Sequence, residues 1–325
     1  MLSDDMIRVE IADEVRRFYV LALLGTATGQ LLLRKDKSGS VIDHITVKHV
    51  AALEVPMLPE DDIRTVATQM RKAVALREEA REGLDRLRLE YESSLPAIPS
   101  AQTPRQWGMS SAELAGRLDA APYEPAVRAT REALTAVGGR PLREVATALK
   151  PPGRYKTIYV DRDNGTPILS GGQLLQIRPL NPRYMASHAL KDIQRYRLSR
   201  GWIAYQADGR SEEALGEPVM ITSNRGGWLA SGHVGRLVAN DASDAGRLYL
   251  AFQSPQAQLQ LKALASGSVV DATFPGDAEA IILPPLPDHG GEHVERYWEQ
   301  FSEAQELEEE AFGVIERKLA ASWGS

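Results

Sequence analysis

Three short spellings in this chain carry the residue types of known chemistry, and each lacks a part that the chemistry needs. Asn181-Pro182-Arg183-Tyr184 is one residue away from the Asn-Pro-Pro-Tyr that can hold an extruded adenine by hydrogen bonding and stacking. Arg183 replaces its second proline, and no glycine-rich cofactor loop follows a strand. His289-Gly290-Gly291-Glu292-His293 has the His-x-x-Glu-His spelling of zinc hydrolases. That chemistry needs both histidines on one helical face, and two consecutive glycines are a poor helix start. Gly25-Thr26-Ala27-Thr28-Gly29 is not followed by Lys-Ser/Thr and so is no phosphate loop. With no cysteine in 325 residues, disulfides and thiolate zinc sites are excluded, and a reducing cytoplasm is the expected setting. None of the three spellings supplies a catalytic, metal or cofactor site, so no enzyme activity, metal or cofactor is expected of the chain.

Binding chemistry is better represented. The net charge is −6, yet residues 140–236 hold 15 Lys/Arg against 8 Asp/Glu, and residues 288–325 hold 3 against 10. Polyanion binding needs a field of cations, and reading base edges needs Arg, Gln or Asn able to make paired hydrogen bonds. The expected phosphate contacts are Lys150, Arg154, Lys156, Arg162, Lys191, Arg195 and Arg197. The expected base readers are Gln173, Gln176, Arg178, Gln206, Arg210, Asn224 and Arg225. Tyr155, Tyr184 and Trp228 are read as packing residues. An acidic helix joined to a basic module suits a chain that holds a polyanion with one part and a protein partner with the other.

The elements that must position these residues come in duplicate. Ser38-Gly39-Ser40-Val41-Ile42-Asp43 returns as Ser266-Gly267-Ser268-Val269-Val270-Asp271, a shift of 228 positions that holds without a gap. Gln30-Leu31-Leu32-Leu33 matches Gln258-Leu259-Gln260-Leu261, and Ala52–Pro59 matches Ala280–Pro287. The period is far longer than that of solenoid repeats, so two equivalent structural positions are expected. Each copy ends in prolines and is followed by apolar residues at 3-4 spacing, the seam of a left-handed coiled coil. The first seam is Ile63, Val66, Met70, Ala73, Arg77, Ala80, Leu84, Leu87, Tyr91; the second is Gly291, Val294, Trp298, Phe301, Gln305, Glu308, Phe312, Ile315, Leu319. Two helices of roughly 30 residues, each about 45 Å long, are expected to pair antiparallel. Arg77 should then face Glu308 and set the register.

Residues 1–59 read as the closing segment of a domain, with a helical or buried run at Phe18–Leu24. A spacer helix over 60–95 leads to a proline-rich linker at 96–109, which includes Ser100-Ala101-Gln102-Thr103-Pro104. The main domain covers 110–287: helical patches at Ser110–Leu118 and Tyr123–Val137, then short strands at 157–160, 167–169, 202–205, 218–221 and 235–238. A long helix closes the chain at 288–325. The fold class is α+β, one mixed domain flanked by two long antiparallel helices. No run approaches the length of a membrane span, and Met1-Leu2-Ser3-Asp4-Asp5 has no signal-peptide character.

This organisation resembles the specificity (S) subunit of type I restriction-modification systems, in a half-length form. The resemblance is carried by Gln30…Ser38-Gly39-Ser40-Val41-Ile42-Asp43-His44-Ile45-Thr46…Pro56-Met57-Leu58-Pro59, by its second copy ending at Pro287, and by both trailing helices. Within the basic domain, Gly165–Gln173, Gly201–Tyr205 with Asp208-Gly209-Arg210, and Ser231-Gly232-His233 are similar to strands and loops of that family. Met6-Ile7-Arg8-Val9 would align with Val234-Gly235-Arg236-Leu237, so residues 1–59 stand for only the end of a first recognition domain. The resemblance implies sequence-specific binding of double-stranded DNA without catalysis. It implies adenine methyltransferase (M) subunits as partners, which bring S-adenosylmethionine, and a restriction (R) subunit in phage defence. A homodimer or a second S-type chain would supply the other recognition domain. The alternative is a coiled-coil scaffold or regulatory protein that binds the methyltransferase without reading DNA.

Overall fold

Asp13 begins the first helix. In a computed structural model of the chain, its carboxylate accepts from the Arg16 amide at 2.7 Å and caps helix α1 (Glu14–Gly25). The structure describes residues 6–35, 45–99, 106–114, 116–152, 155–176, 178–179, 182–210, 212–267 and 270–323. Ser38–Asp43 of the repeat motif, His44, Ser268, Val269, linker residues Ser100–Pro104, Arg154 and Asn181 lie outside the described residues. The chain forms two units, Met1–Ala80 with Gln300–Ser325, and Arg81–Glu299.

In the first unit α1 is followed by α2 (Ala27–Arg34), α3 (Val47–Ala51) and α4 (Glu60–Ser93), which runs on into the second unit. Three acids, Glu60, Asp61 and Asp62, occupy the first turn of α4, where the helix dipole favours negative charge. The C-terminal helix α10 (Gly291–Trp323) likewise belongs to both units. Within the first unit, Ile63, Val66 and Met70 of α4 share a buried cluster with Ala311, Ile315 and Leu319 of α10 and with Tyr19, Ala22 and Leu23 of α1. Asp62 meets Lys318 at 2.9 Å, Gln69 meets Glu310 at 3.1 Å and Lys72 meets Glu303 at 2.7 Å. Positions that rise along α4 fall along α10, so the helices are antiparallel here.

The second unit contains α5 (Pro125–Ala136), β1 (Arg140–Pro141), β2 (Ala146–Leu149), β3 (Tyr159–Val160), β4 (Thr166–Leu169), α6 (Gly171–Leu174), β5 (Arg183–Met185), β6 (Ile203–Gln206), β7 (Asp208–Gly209), β8 (Pro218–Met220), β9 (Leu229–Ala230), β10 (Val234–Ala239), α7 (Ala245–Gln253), α8 (Pro255–Leu264), β11 (Asp271–Ala272), α9 (Pro275–Ala280) and β12 (Ile282–Leu283). The central sheet has the order β2-β10-β6-β8, all antiparallel. Its main core is formed by Leu142, Ile203, Tyr205, Met220 and Leu237 against Leu248, Phe252, Ala257 and Leu261 of α7 and α8. A second four-stranded sheet, β3-β5-β4-β9, has its own small core of Ile168, Met185, Leu190, Tyr196 and Leu229. The mixed domain and the two long helices expected from the sequence are present. The Ser110–Leu118 patch is a correction: among its described residues only a single 3-10 turn at Ser111–Glu113 is helical.

The duplication holds at the level of single hydrogen bonds. Helices α1, α2, α3 and α4, shifted by 228 positions, fall on α7, α8, α9 and α10 to within a few residues. Thr26 Oγ1 donates to the Leu23 carbonyl at 2.7 Å and accepts from the Gly29 amide at 3.0 Å. Ser254, its counterpart, donates to the Ala251 carbonyl at 2.8 Å and accepts from the Ala257 amide at 3.3 Å. Gln30 Nε2 donates to the Leu24 carbonyl at 2.7 Å, and Gln258 Nε2 to the Phe252 carbonyl at 2.8 Å. Each side chain thus satisfies backbone groups that the α1–α2 and α7–α8 corners leave open. The equivalence stops short of the alignment read from sequence. Val234–Leu237 lies in β10, between β2 and β6, whereas Met6–Val9 forms no strand. An isolated strand has no partners for its backbone groups, and among the described residues of 6–59 there is no strand to pair with it.

Candidate nucleic-acid interface

The small β3-β5-β4-β9 sheet carries most of the expected phosphate contacts. Seven basic residues lie between positions 155 and 198, against three acidic ones. Lys156 precedes β3, Arg162 sits in the turn between β3 and β4, and Lys191 and Arg195 lie in the segment after β5; all four are exposed. Arg183 on β5 is exposed as well and stacks over the Tyr159 ring at 5.0 Å. Tyr155 and Tyr196 pack edge to face with ring centroids 4.9 Å apart, which ties the β3 approach to the 195–198 segment. Arg197 is half-buried and donates to the Gly227 carbonyl at 3.1 Å.

Two expected DNA contacts are otherwise engaged. Lys150 is half-buried, with Nζ 2.5 Å from Asp208 Oδ1 and 3.0 Å from the Thr273 carbonyl, so its charge is paired inside the domain. Arg225 is buried. Its guanidinium donates to the carbonyls of Leu174 at 3.3 Å and Gln176 at 2.7 Å, so it holds a loop. Burial pulls its pKa down to about 10.

The remaining base-reading candidates lie around α6 and β6. Gln173 caps α6, its Oε1 accepting from Ser170 Oγ at 2.9 Å. Gln176 and Arg178 follow in the loop that Arg225 holds, and both are half-buried. Gln206 ends β6 and donates to the Asp208 carbonyl at 3.1 Å. Asn224 accepts from Thr222 Oγ1 at 2.7 Å. Arg210 is exposed, 3.7 Å from Glu213.

Arg236, which sequence reasoning passed over as a site residue, sits in the middle of β10. It donates to the Arg197 carbonyl at 2.9 Å and the Arg195 carbonyl at 2.8 Å, and lies over the Trp202 ring at 5.8 Å. Burial lowers its pKa to about 10. Two buried arginines thus fix the backbone of the two loops richest in candidate contacts, Arg225 the loop 174–178 and Arg236 the segment 195–197. An Arg flanked by Gly235 and Leu237 within an apolar strand was the one available sign of an inward-facing cation.

The helix-pairing candidates divide between the units. In the first, Ile63, Val66, Met70 and Ile315 are buried and Phe301 and Phe312 half-buried. Arg77 and Glu308 form a paired ion bridge, Nη1 to Oε1 and Nη2 to Oε2 at 2.7 Å, with side chains 17% and 8% exposed. In the second, Leu84, Leu87 and Trp298 pack against the main core, and Trp298 meets Tyr249 edge to face at 5.7 Å.

No protein-family model matches the chain, and no curated protein sequence matches it. Solved structures with a similar course of chain include the HsdS subunit from Thermoanaerobacter tengcongensis, at 15% identity and TM-score 0.35 over 93% of this chain and 71% of that one. The type I restriction-modification S subunit from M. genitalium aligns at 12% identity and TM-score 0.36, over 96% and 71%. A chain from a type I R-M system, solved for its complex assembly and conformational transition, aligns at 16% identity and TM-score 0.36, over 93% and 68%.

Proposed function

We propose that this chain is a DNA sequence-recognition subunit of a type I-like restriction-modification complex. The observation that carries the reading is the duplicated helical frame, whose Thr26/Ser254 and Gln30/Gln258 bonds match, with one basic α+β domain inserted between its copies in the chain. A frame repeated around a recognition domain is what the sequence resemblance to S subunits leads one to expect. The exposed cations of the small sheet supply phosphate affinity, and the Gln- and Arg-bearing loops beside α6 and β6 supply groups for base edges. The long helices serve as spacer and as the dock for methyltransferase subunits, which bring S-adenosylmethionine and the catalytic site. The chain itself contributes recognition and no reaction step. Among the described residues no group of side chains is arranged to hold a metal ion, and no helix is long and apolar enough to cross a membrane.

The test is selection from a randomised duplex pool by the purified chain, alone and with its methyltransferase. A bipartite palindrome would identify a dimer of this chain; a single half-site would identify one recognition domain working with a second S-type chain. Failure to enrich any sequence in either setting would refute the reading and leave a scaffold.

A further inference from the structure

The geometry points to His233 as a pH-gated hydrogen-bond donor to duplex DNA, an inference that rests on the function proposed above. His233 precedes β10, and its Nδ1 lies 2.6 Å from Asp208 Oδ2. The other oxygen of that carboxylate is held by Lys150. The arrangement is graded from inside to outside, with Lys150 10% exposed, Asp208 17% and His233 66%. Asp208 therefore has its counter-charge without the histidine, and an ion pair with so exposed a group contributes little stability. What the contact does is aim the ring. A carboxylate at Nδ1 keeps a proton on that nitrogen, so Nε2 is an acceptor when the imidazole is neutral and a donor when it is protonated.

Beside the histidine, the first two positions of α6 are glycines and carry no side chain. Helix α6 presents Gly171 to the histidine. A Cβ at Gly171 would lie 3.6 Å from Gln206 and 3.7 Å from His233, and one at Gly172 would meet nothing within 4 Å. His233 thus shares a patch with Gln206, and the α6 loop carries Gln173, both named above as base readers. The titratable and charged groups that face it are Asp208 of β7 and Lys150 beyond β2. Tyr155, whose hydroxyl meets the Gly232 backbone, and Asp271 of β11, paired with Gly209 next to Asp208, are titratable groups on neighbouring elements. A protonated ring there offers Nε2–H to an acceptor of the duplex, a phosphate oxygen or the O6/N7 edge of guanine.

The experiment measures affinity of the full-length chain for a fluorescent randomised duplex, and for any motif enriched from it, across the histidine range. Wild type should bind about tenfold tighter near pH 5.5 than near pH 8. His233→Gln should lose most of that step, retaining what His188 on the small-sheet lobe contributes. His233→Lys should bind tightly and nearly independently of pH. A phosphate contact would lower the salt slope by about one in His233→Gln with the motif unchanged, whereas a base contact would relax one motif position. A step that persists undiminished in His233→Gln, or binding by wild type with no step, overturns the inference and leaves the DNA-reading function standing. No binding at any pH or salt overturns that function, and the inference with it.

Discussion

Replacing Arg77 should cost the helix pair far more than removing the whole ion bridge. The guanidinium and the Glu308 carboxylate meet through two parallel contacts at a site where both side chains are largely excluded from water. Small residues surround them: Ala73 and Ala80 on α4, and Ala304 and Ala311 on α10, are all buried. Alanines let the helices approach closely, and their side chains offer an orphaned charge no hydrogen bond. Arg77→Ala therefore strands Glu308 in a site of low polarity, a loss of about 3–5 kcal/mol. Arg77→Glu, which sets two carboxylates against each other, should cost at least as much. Arg77→Leu with Glu308→Leu removes both charges at similar volume and should lie within about 1 kcal/mol of wild type. The duplication adds a point. Shifted by 228 positions, Arg77 corresponds to Gln305 and Glu308 to Ala80, and both counterparts are buried and uncharged. Only one of two equivalent pairings carries the bridge, so it distinguishes two nearly equivalent ways of setting the helices together. The assay is amide hydrogen exchange of peptides covering 73–80 and 304–311. If Arg77→Ala or Arg77→Glu changed the opening free energy of these peptides by less than about 1 kcal/mol, the bridge would be a surface ornament and the register argument would fall.

Other outcomes follow from the same geometry. Arg236→Ala deprives the Arg195 and Arg197 carbonyls of their donors and should cost about 1–3 kcal/mol in denaturant unfolding. Arg236→Lys keeps the charge but not the two-pronged fork, and should blur the enriched motif more than it weakens binding. Substituting Lys156, Arg162, Lys191 or Arg195 should each lower the salt slope of DNA binding by about one, while Lys150→Ala should destabilise the fold and leave that slope unchanged. Gly246→Ala should destabilise by about 1–3 kcal/mol in spite of its better helix propensity, because a Cβ there would fall 2.1 Å from the Gly291 carbonyl; thermal unfolding checks it. Burial pushes the Glu299 carboxyl up, but bonds from Ser223 and Arg200 outweigh this and hold it below its ordinary value. Its contribution is present above that ordinary value and is lost as pH falls through the lowered one, so Glu299→Gln should flatten acid unfolding over that window.

How much was legible in the sequence follows from which interactions are local. The proline stops, the 3-4 seams and the 228-residue shift are patterns along the chain, and they sufficed for two long helices; the antiparallel sense came from the resemblance to S subunits, and given that sense the seams placed Arg77 against Glu308. Strands β4, β6, β8 and β10 announced themselves as apolar runs between turn residues. The strands β2 (Ala146-Thr147-Ala148-Leu149) and β5 (Arg183-Tyr184-Met185) did not, because neither carries an apolar, β-branched run, and each is held as a strand by the ladders its neighbours supply. Met6–Val9 makes the same point from the other side: its resemblance to Val234–Leu237 is real in sequence, yet without flanking strands it forms none. The arginines were the least legible of all. Arg195, Arg225 and Arg236 are one residue type in one basic stretch, but the first is exposed and the other two are buried. What separates them is the set of carbonyls at Leu174, Gln176, Arg195 and Arg197, brought to the guanidinium groups from dozens of residues away. Composition determined that this domain would carry a surplus of positive charge. Only the tertiary structure decided which cations face water and which hold the loops in place, because burying a charge requires partners that no local pattern can specify.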